Sequence, residues 1–266
     1  MKIALLVAYD GTDLRGFARQ PAGRTVQGLL EEALSQLLRV EIKTTGAGRT
    51  DAGVHAAGQV VSFAAPDGTD PTWVASRLNR RLAPEISIRA AATVPDSFDA
   101  RHSARRRVYG YHLYRSAARD PFLDRFALHV SGQLDVAAMR RAAKGLVGQH
   151  DFSSFCRRGE TSLVRRVRSI SISTPSRGKK LVVRVAGDSF CHQMVRSIVG
   201  LLLEVGRGKR GADEVPNVLV ARDRAAAGPV APARGLTLTG VGYSKDPFPR
   251  TAAARRPAGS SSTQRR

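Results

Sequence analysis

Hydrophobic and polar positions alternate with two different periods in the first hundred residues, and the pattern predicts a β-α-β-α-β order. The apolar run over residues 2–9 stops at the turn dipeptide Asp10-Gly11, as a buried strand does. After Thr25, a good helix-capping residue, apolar side chains recur every three to four positions. The predicted elements are a strand over 2–9, a helix over 26–38, a strand over 59–63, a helix over 71–82 opened by Asp70-Pro71, and a strand over 86–94.

The remainder of the chain repeats this theme more loosely. The predicted elements are a strand over 105–115, a helix from an Asp135 cap to about 147, strands over 167–174 and 180–186 joined by a PSRGK hairpin, a helix over 190–205, a short helix from Pro216 and a strand over 236–243. The doubling indicates two related α/β halves, residues 1–100 and 101–244. Residues 245–266 have no periodicity, and we expect them to form a disordered basic tail.

The chain is strongly basic. Its 266 residues include 43 Lys and Arg against 22 Asp and Glu, which gives a formal charge of +21. Six basic groups and one acid lie in residues 245–266, so most of the positive charge belongs to residues 1–244. This excess favours a polyanionic partner, above all nucleic acid. An Arg-rich overall composition explains part of the charge, but not the excess over acidic residues.

The cysteine content and the hydrophobic runs indicate a protein of the reducing cytoplasm. Cys156 and Cys191 provide neither a disulfide framework nor a zinc spacing. The N-terminal apolar run is too short to cross a membrane, and we expect no membrane span elsewhere. The six histidines are scattered without metal-ligand spacing, and the sequence has no P-loop and no dinucleotide fingerprint.

The first candidate site is the stretch GAGRTDAGV, residues 46–54, which carries a lone carboxylate on a glycine-rich loop. Glycines permit unusual backbone conformations and close approach by a ligand, so Asp51 would be exposed and positioned. Arg49, two residues earlier, could pair with Asp51 or reach a phosphate or a base. The alternative is a plain turn, which Asp followed by Ala-Gly also suits, and spacing alone favours that alternative.

Two further stretches combine basic and aromatic or apolar residues. In a strand over 105–115, Arg107, Tyr109 and Tyr111 share one face, an arrangement that suits phosphates and unstacked bases of RNA but also an ordinary tyrosine-rich strand. In a helix over 190–205, His192 and Arg196 lie on a stripe separate from the main apolar one. Such a stripe faces either a cleft or, more commonly, solvent.

Taken together, these stretches resemble the tRNA pseudouridine synthase A family. GRTDAGVHAAGQVVSF is similar to the signature loop of that family and the strand after it, and YDGTDLRGFARQP to its N-terminal segment. The middle block is NRRLAPEISIRAAATVPDSFDARHSARRRVYGYHLY, and the C-terminal blocks are HDFSSF, FCHQMVRSIVGLLLEVGRG and ARGLTLTGVGY. The matches run in family order from about residue 3 to residue 243, which is far more specific than any single motif.

The resemblance implies an α/β fold of two related halves, each a mostly antiparallel or mixed sheet flanked by helices, with the active-site cleft between them. It implies a cytoplasmic, homodimeric isomerase that needs no cofactor and no metal. The implied substrate is tRNA, in whose anticodon stem-loop uridines at positions 38, 39 and 40 become pseudouridine.

The resemblance also implies roles for four residues. Asp51 matches the catalytic aspartate of the family, as a nucleophile at C1′ or as the base in the alternative glycal route. Arg196 matches the arginine that pairs with this aspartate, and a cationic partner favours the ionised carboxylate. Tyr109 matches the tyrosine that packs on the target base. Arg49 matches the arginine that helps to hold the place of the flipped nucleotide.

Two other functions compete with this interpretation. One is a non-catalytic RNA-binding or tRNA-chaperoning protein that kept the fold, against which the intact Asp51, Tyr109 and Arg196 argue. The other is a basic DNA-binding protein, but the sequence contains no helix-turn-helix, zinc-finger or basic-zipper pattern.

Overall fold

The computed structural model describes residues 1–157, 162–175 and 179–248, which form a large mixed sheet flanked by helices. The strands are β1 Lys2–Tyr9, β2 Thr44–Gly46, β3 His55–Ala64, β4 Ile86–Val94, β5 Ala104–Arg115, β6 Leu128–Val130, β7 Gly148–Asp151, β8 Val164–Ser173, β9 Lys180–Gly187 and β10 Leu236–Tyr243. The α-helices are α1 Val26–Leu38, α2 Pro71–Leu82, α3 Pro121–Asp124, α4 Val136–Lys144, α5 Met194–Gly206 and α6 Val215–Ala221.

One continuous sheet runs through both halves of the chain. Its order is β4-β1-β3-β10-β5-β9-β8-β7, with β2 beside β3 and β6 beside β5. The pairs are antiparallel except β10 with β3 and β6 with β5. The expected mixed α/β class is confirmed, and within this one sheet the last strand, β10, lies between β3 and β5. The division into residues 1–100 and 101–244 stays a prediction.

The helices of the first half begin where the capping residues predict. The Thr25 hydroxyl accepts a hydrogen bond from the Gly28 N–H at 3.2 Å, and the Asp70 carboxylate accepts one from the Thr72 N–H at 2.9 Å. Helix α1 packs on α2, and α2 lies over β4 at the sheet edge. In the second half, α4 packs on α5. Helix α5 is the most buried of these, so a polar side chain on it must be accommodated inside the protein.

Several predicted boundaries were wrong. The strand predicted over 59–63 begins at His55, and the helix predicted to reach about 147 ends at Lys144. The helix predicted over 190–205 begins only at Met194, because Gln193 has a left-handed backbone with φ 64°. Strands β8 and β9 do pair as predicted, but residues 176–178 of their connection lie outside the described residues. So does most of the predicted tail, residues 249–266.

Candidate active site

The loop between β2 and β3 presents Asp51 from a fixed backbone. The Tyr9 and Thr50 hydroxyls lie 2.8 Å apart in the core, and the Phe17 N–H donates to the Thr50 carbonyl at 3.0 Å. The Val54 N–H donates to the Asp51 carbonyl at 3.1 Å, so the stretch is also the turn that its sequence suggests. The residue before Asp51 is therefore anchored from two sides, and the turn holds the carboxylate outward.

The buried Gln59 and the partly buried Arg107 fix the first part of this loop. The Gln59 amide is fully buried and bonds Gly48 in both directions, donating to its carbonyl at 2.6 Å and accepting from its N–H at 3.3 Å. The Arg107 guanidinium donates to the carbonyl of Ala47 at 2.8 Å and to that of Asp188 at 2.8 Å. Arg107 thus ties the Asp51 loop to the segment before α5. Of the two alternatives for this stretch, the contacts of Arg107 agree with the ordinary strand, because backbone carbonyls occupy its donors.

The Asp51 carboxylate, 21% exposed, has a separate partner on each oxygen. Arg196 Nη1 lies 3.0 Å from Oδ2, and His192 Nε2 lies 3.3 Å from Oδ1. Arg196 is therefore directed into the site rather than to solvent. Within the described ranges, no other basic side chain lies at ion-pair distance from Asp51.

Arg196 is itself held by backbone. Its Nε donates to the Ala231 carbonyl at 2.8 Å, and the Ala231 N–H donates to the Arg196 carbonyl at 3.1 Å. This contact depends on Gly200, one turn further along α5, because a Cβ at Gly200 would collide with the carbonyl oxygen of Pro229. The spacing of Arg196 and Gly200 therefore lets the 229–231 segment lie against the helix and fix the guanidinium.

Tyr109 lies beside the same loop. Its ring meets Phe190 edge-on at 5.4 Å between centroids, and a Cβ added at Gly48 would stand 3.7 Å from its hydroxyl oxygen. Burial, and then the negative charge of Asp51 among nearby groups, raises the pKa of Tyr109, so the phenol stays neutral. Tyr111 and Leu113 on the same face are core residues. On this face of the strand, for which RNA contact and an ordinary tyrosine-rich strand were both open, Tyr109 lies beside the Asp51 loop.

Arg49 is exposed next to Thr50 and makes no hydrogen bond or ion pair within the part of the chain that the structure describes. Its guanidinium is available to an incoming ligand. The structure thus brings Asp51 and Arg196 into direct contact, places Tyr109 along the loop and leaves Arg49 at the surface. Sequence reasoning missed the contact of His192 with Asp51, because it placed His192 inside the helix.

Cys156 and Cys191 form a disulfide, contrary to the expectation from their count and spacing. Their Cα atoms lie 5.7 Å apart, within the range that disulfide geometry needs. They are separated by 35 residues in the sequence, and only the packing of the 153–156 turn against the start of α5 brings them together. The bond joins the residue before His192 to a buried segment.

Among the residues that the structure describes, no group of three or more His, Cys, Asp or Glu side chains is placed to hold a metal ion. In the same ranges, no helix combines the length and the apolar character that a membrane crossing requires.

The arrangement suits chemistry by one anionic oxygen. A carboxylate that is ion-paired at one oxygen and reachable from solvent can attack an electrophilic carbon or accept a proton. The nearest acidic residues to Asp51 in sequence are Glu41 and Asp67, so the loop contributes no second acid of the kind that glycoside hydrolysis uses. The buried, neutral Tyr109 ring lies along the same loop, and the exposed Arg49 is two residues before Asp51.

Comparison with known proteins gives a consistent result. Residues 5–103 and 142–244 match the family model of tRNA pseudouridine synthases. The chain is 45% identical over 241 residues to tRNA pseudouridine synthase A of Halalkalibacterium halodurans, covering 88% of this chain and 90% of that protein. It is 46% identical over 248 residues to the protein of the same name from Ralstonia nicotianae, covering 91% of this chain and 90% of that protein. It is 42% identical over 243 residues to the protein of the same name from Brevibacillus brevis, covering 91% of this chain and 99% of that protein.

The matched ranges contain Asp51 and the whole of α5 with Arg196. They also contain β9 and β10, which lie on either side of the strand that carries Tyr109, while Tyr109 itself lies between the two ranges. The similarity extends over nearly the full length of the relatives. This chain belongs to the tRNA pseudouridine synthase family.

Proposed function

We propose that this protein isomerises uridine to pseudouridine at positions 38, 39 and 40 in the anticodon stem-loop of tRNAs, with Asp51 as the nucleophile. The observation that carries the proposal is the single carboxylate held by Arg196 Nη1 at 3.0 Å from Oδ2. Relatives that are more than 40% identical bear the name tRNA pseudouridine synthase A. The formal charge of +21 suits a polyanionic substrate.

One carboxylate is sufficient for this reaction. An oxygen of Asp51 attacks C1′ of the ribose, and the C1′–N1 bond breaks with its electron pair going to the uracil. The uracil turns, C5 bonds to C1′ as the bond to Asp51 breaks, and the proton on C5 is lost while N1 gains one. Atoms balance without a second reactant. In the alternative glycal route, the same carboxylate removes a proton from the ribose as the C1′–N1 bond breaks, and it returns the proton when C5 bonds to C1′.

The other site residues have roles that follow from their places. Arg196 orients the carboxylate, since its own guanidinium is fixed by the Ala231 carbonyl. The target base must leave its stack, and Tyr109 offers it a ring beside Gly48. Arg49 is exposed and unpaired among the described residues, so it is free to bond the backbone or neighbouring base at the vacated position.

The partners follow from the same proposal. We propose a homodimer whose two copies both contact one tRNA, acting in the cytoplasm without a cofactor or a metal. In that reducing compartment the Cys156–Cys191 bond would be open for much of the time.

The test uses an unmodified tRNA transcript with uridine at positions 38, 39 and 40, together with three transcripts that each keep only one of these uridines. After incubation without added metal or nucleotide, pseudouridine is mapped along the whole transcript. The proposal predicts pseudouridine in the anticodon arm alone. Binding of tRNA without any pseudouridine would favour the non-catalytic RNA-binding function instead, and equal binding of duplex DNA at matched salt would favour the DNA-binding one.

A further inference from the structure

The second partner of Asp51, His192, has no role in the reaction as described above. Its Nε2 lies 3.3 Å from Asp51 Oδ1, while Arg196 bonds the other oxygen. A carboxylate oxygen only accepts hydrogen bonds, so this close contact favours the form of the imidazole that has a hydrogen on Nε2. Arg196 donates to Oδ2 and the His192 ring lies beside Oδ1, so each oxygen of the carboxylate faces a basic side chain.

The two partners of the carboxylate differ in how firmly they are held. The Arg196 side chain is 15% exposed, lies on α5 and is bonded to the Ala231 carbonyl. The His192 side chain is 44% exposed and lies in the loop between β9 and α5. Arg196 is thus the fixed partner, and His192 is the partner on the open side, from which a nucleotide can approach.

The backbone of His192, unlike its ring, is firmly placed. Its carbonyl accepts a hydrogen bond from the Arg157 N–H at 3.1 Å. Cys191, the preceding residue, is buried, and Gln193, the following one, has a left-handed backbone with φ 64°, which is costly for a residue with a side chain. The loop therefore aims the imidazole at Asp51, although the side chain is nearly half exposed.

We propose that His192 is a second positioning residue for the reaction and acts through Asp51. Its Nε2–H holds Oδ1 so that the carboxylate cannot rotate about its contact with Arg196. The terminal torsion of an aspartate is broad, and a carboxylate held at one oxygen samples many planes. Holding the second oxygen keeps the attacking atom in line with C1′ of the incoming nucleotide. The inference rests on the proposed function, in which Asp51 reacts at C1′.

Two substitutions separate this role from a merely structural one. His192→Leu keeps the approximate size and removes the donor, whereas His192→Gln keeps an N–H near the place of Nε2. His150→Leu is the matched control, because His150 lies on β7 and, among the residues that the structure describes, its ring hydrogen-bonds the Val147 carbonyl alone, at 3.1 Å. Thermal unfolding of all three variants checks that each is folded before rates are compared.

The measurement is the single-turnover rate and the KM for the tRNA transcript. A misplacement of about 1 Å costs on the order of 10²-fold in rate, so His192→Leu should lower the rate by roughly 10- to 100-fold. The KM should change by less than about 2-fold, His192→Gln should recover most of the rate, and His150→Leu should equal the wild type. The inference is overturned if His192→Leu reacts at the wild-type rate, if its loss is confined to KM, or if His192→Gln loses as much as His192→Leu.

A second measurement does not depend on activity. In protein with ¹⁵N-labelled histidine, the signals of His192 should be those of the Nε2–H tautomer, and Asp51→Asn should shift them while leaving those of His150 unchanged. Unshifted His192 signals would overturn the inference even in an active enzyme. If the wild type forms no pseudouridine while the signals shift as expected, the proposed function fails and the contact stands.

Discussion

At the scale of single residues, the site depends on a carboxylate and a guanidinium that are 145 positions apart in the sequence. The local sequence pattern predicted Asp51 either as a turn residue or as an exposed carboxylate. It placed Arg196 on a helix stripe separate from the apolar one, facing either a cleft or solvent. Their contact cannot be deduced from periodicity, because no local pattern encodes how α5 meets the loop after β2. Family resemblance predicted the pair, and the geometry shows its physical basis.

Replacing Arg196 by lysine should damage the reaction more than the stability. A lysine keeps the charge but cannot bond Ala231 and Asp51 at once, as the planar guanidinium does. We expect the single-turnover rate to fall by about 10- to 100-fold, with tRNA affinity changed by less than about 3-fold. Arg222→Lys, in a surface pair with Asp151, is the control. An unchanged rate in Arg196→Lys would show that only the charge matters.

His55 gives a prediction about pH and stability. Burial lowers the pKa of His55 below its usual 6.5, although Asp10 at 3.2 Å favours the charged form. The geometry agrees with a neutral ring, because Nδ1 accepts from the Gly11 N–H and Nε2 lies 3.1 Å from the Arg234 carbonyl. The unfolded chain then binds a proton near pH 6.5 that the folded protein does not bind.

The contribution of neutral His55 to the free energy of unfolding should therefore be fully present above about pH 6.5. It should decrease as the pH falls below that value, by at most about 1.4 kcal/mol per pH unit. The check is urea unfolding between pH 7.5 and 5.5. His55→Gln should reduce the slope, and His112, whose pKa burial also lowers, should account for part of what is left. A slope that is identical in the variant and the wild type would contradict this assignment.

At the scale of elements, the strands and helices that depend on local pattern were predicted well, and those that depend on tertiary contacts were not. Helix α2 begins and ends where its Asp70 cap and its periodicity indicate. Helix α5 begins four residues late, because the residues before it follow the disulfide and the left-handed Gln193 rather than their helical spacing. The three-residue strand β2 has no pattern long enough to detect and exists only by pairing with β3.

Gly200 tests how α5 positions the site. An alanine there would meet the Pro229 carbonyl oxygen, so the 229–231 segment must move away from the helix. Overpacking of this kind costs about 1–3 kcal/mol. We expect Gly200→Ala to lower the free energy of unfolding by that amount and to lower the rate as well, since Arg196 loses its Ala231 anchor.

The control is Gly68→Ala on the surface, where a Cβ would meet nothing within 4 Å. Because Gly68 has φ 79°, this control bears the backbone strain of a left-handed residue without a packing clash. It should lose some stability but retain the wild-type rate. A Gly200→Ala protein that is less stable but fully active would show that the 229–231 segment does not position Arg196.

At the scale of the whole molecule, the final strand joins the halves. Strand β10 lies between β3, which follows the Asp51 loop, and β5, which carries Tyr109. The sequence predicted that strand but not its neighbours, because pairing partners of strands distant in sequence are set by the packing of the complete sheet. The result is a single sheet that places the two parts of the site at a fixed distance.

The basic charge predicts a strong dependence of tRNA binding on salt. Even about four phosphate contacts would reduce the affinity on the order of 10²-fold between 50 and 200 mM salt. The single-turnover rate at saturating tRNA should stay constant, since the paired Asp51 and Arg196 side chains are largely shielded from solvent. Truncation after residue 244 removes a net +5 and leaves most of the charge, so the slope should decrease only in part. Salt-independent binding would contradict an electrostatic docking surface.

Asp51→Asn shows whether the carboxylate of Asp51 is the group that reacts in pseudouridine formation. The substitution keeps the size of the side chain and removes its charge. The measurement compares pseudouridine formation in the anticodon arm and tRNA affinity for the variant and the wild type on one transcript. We expect the variant to form pseudouridine at least about 10³-fold more slowly than the wild type while it still binds tRNA. Pseudouridine formed by Asp51→Asn at a rate near that of the wild type would contradict it.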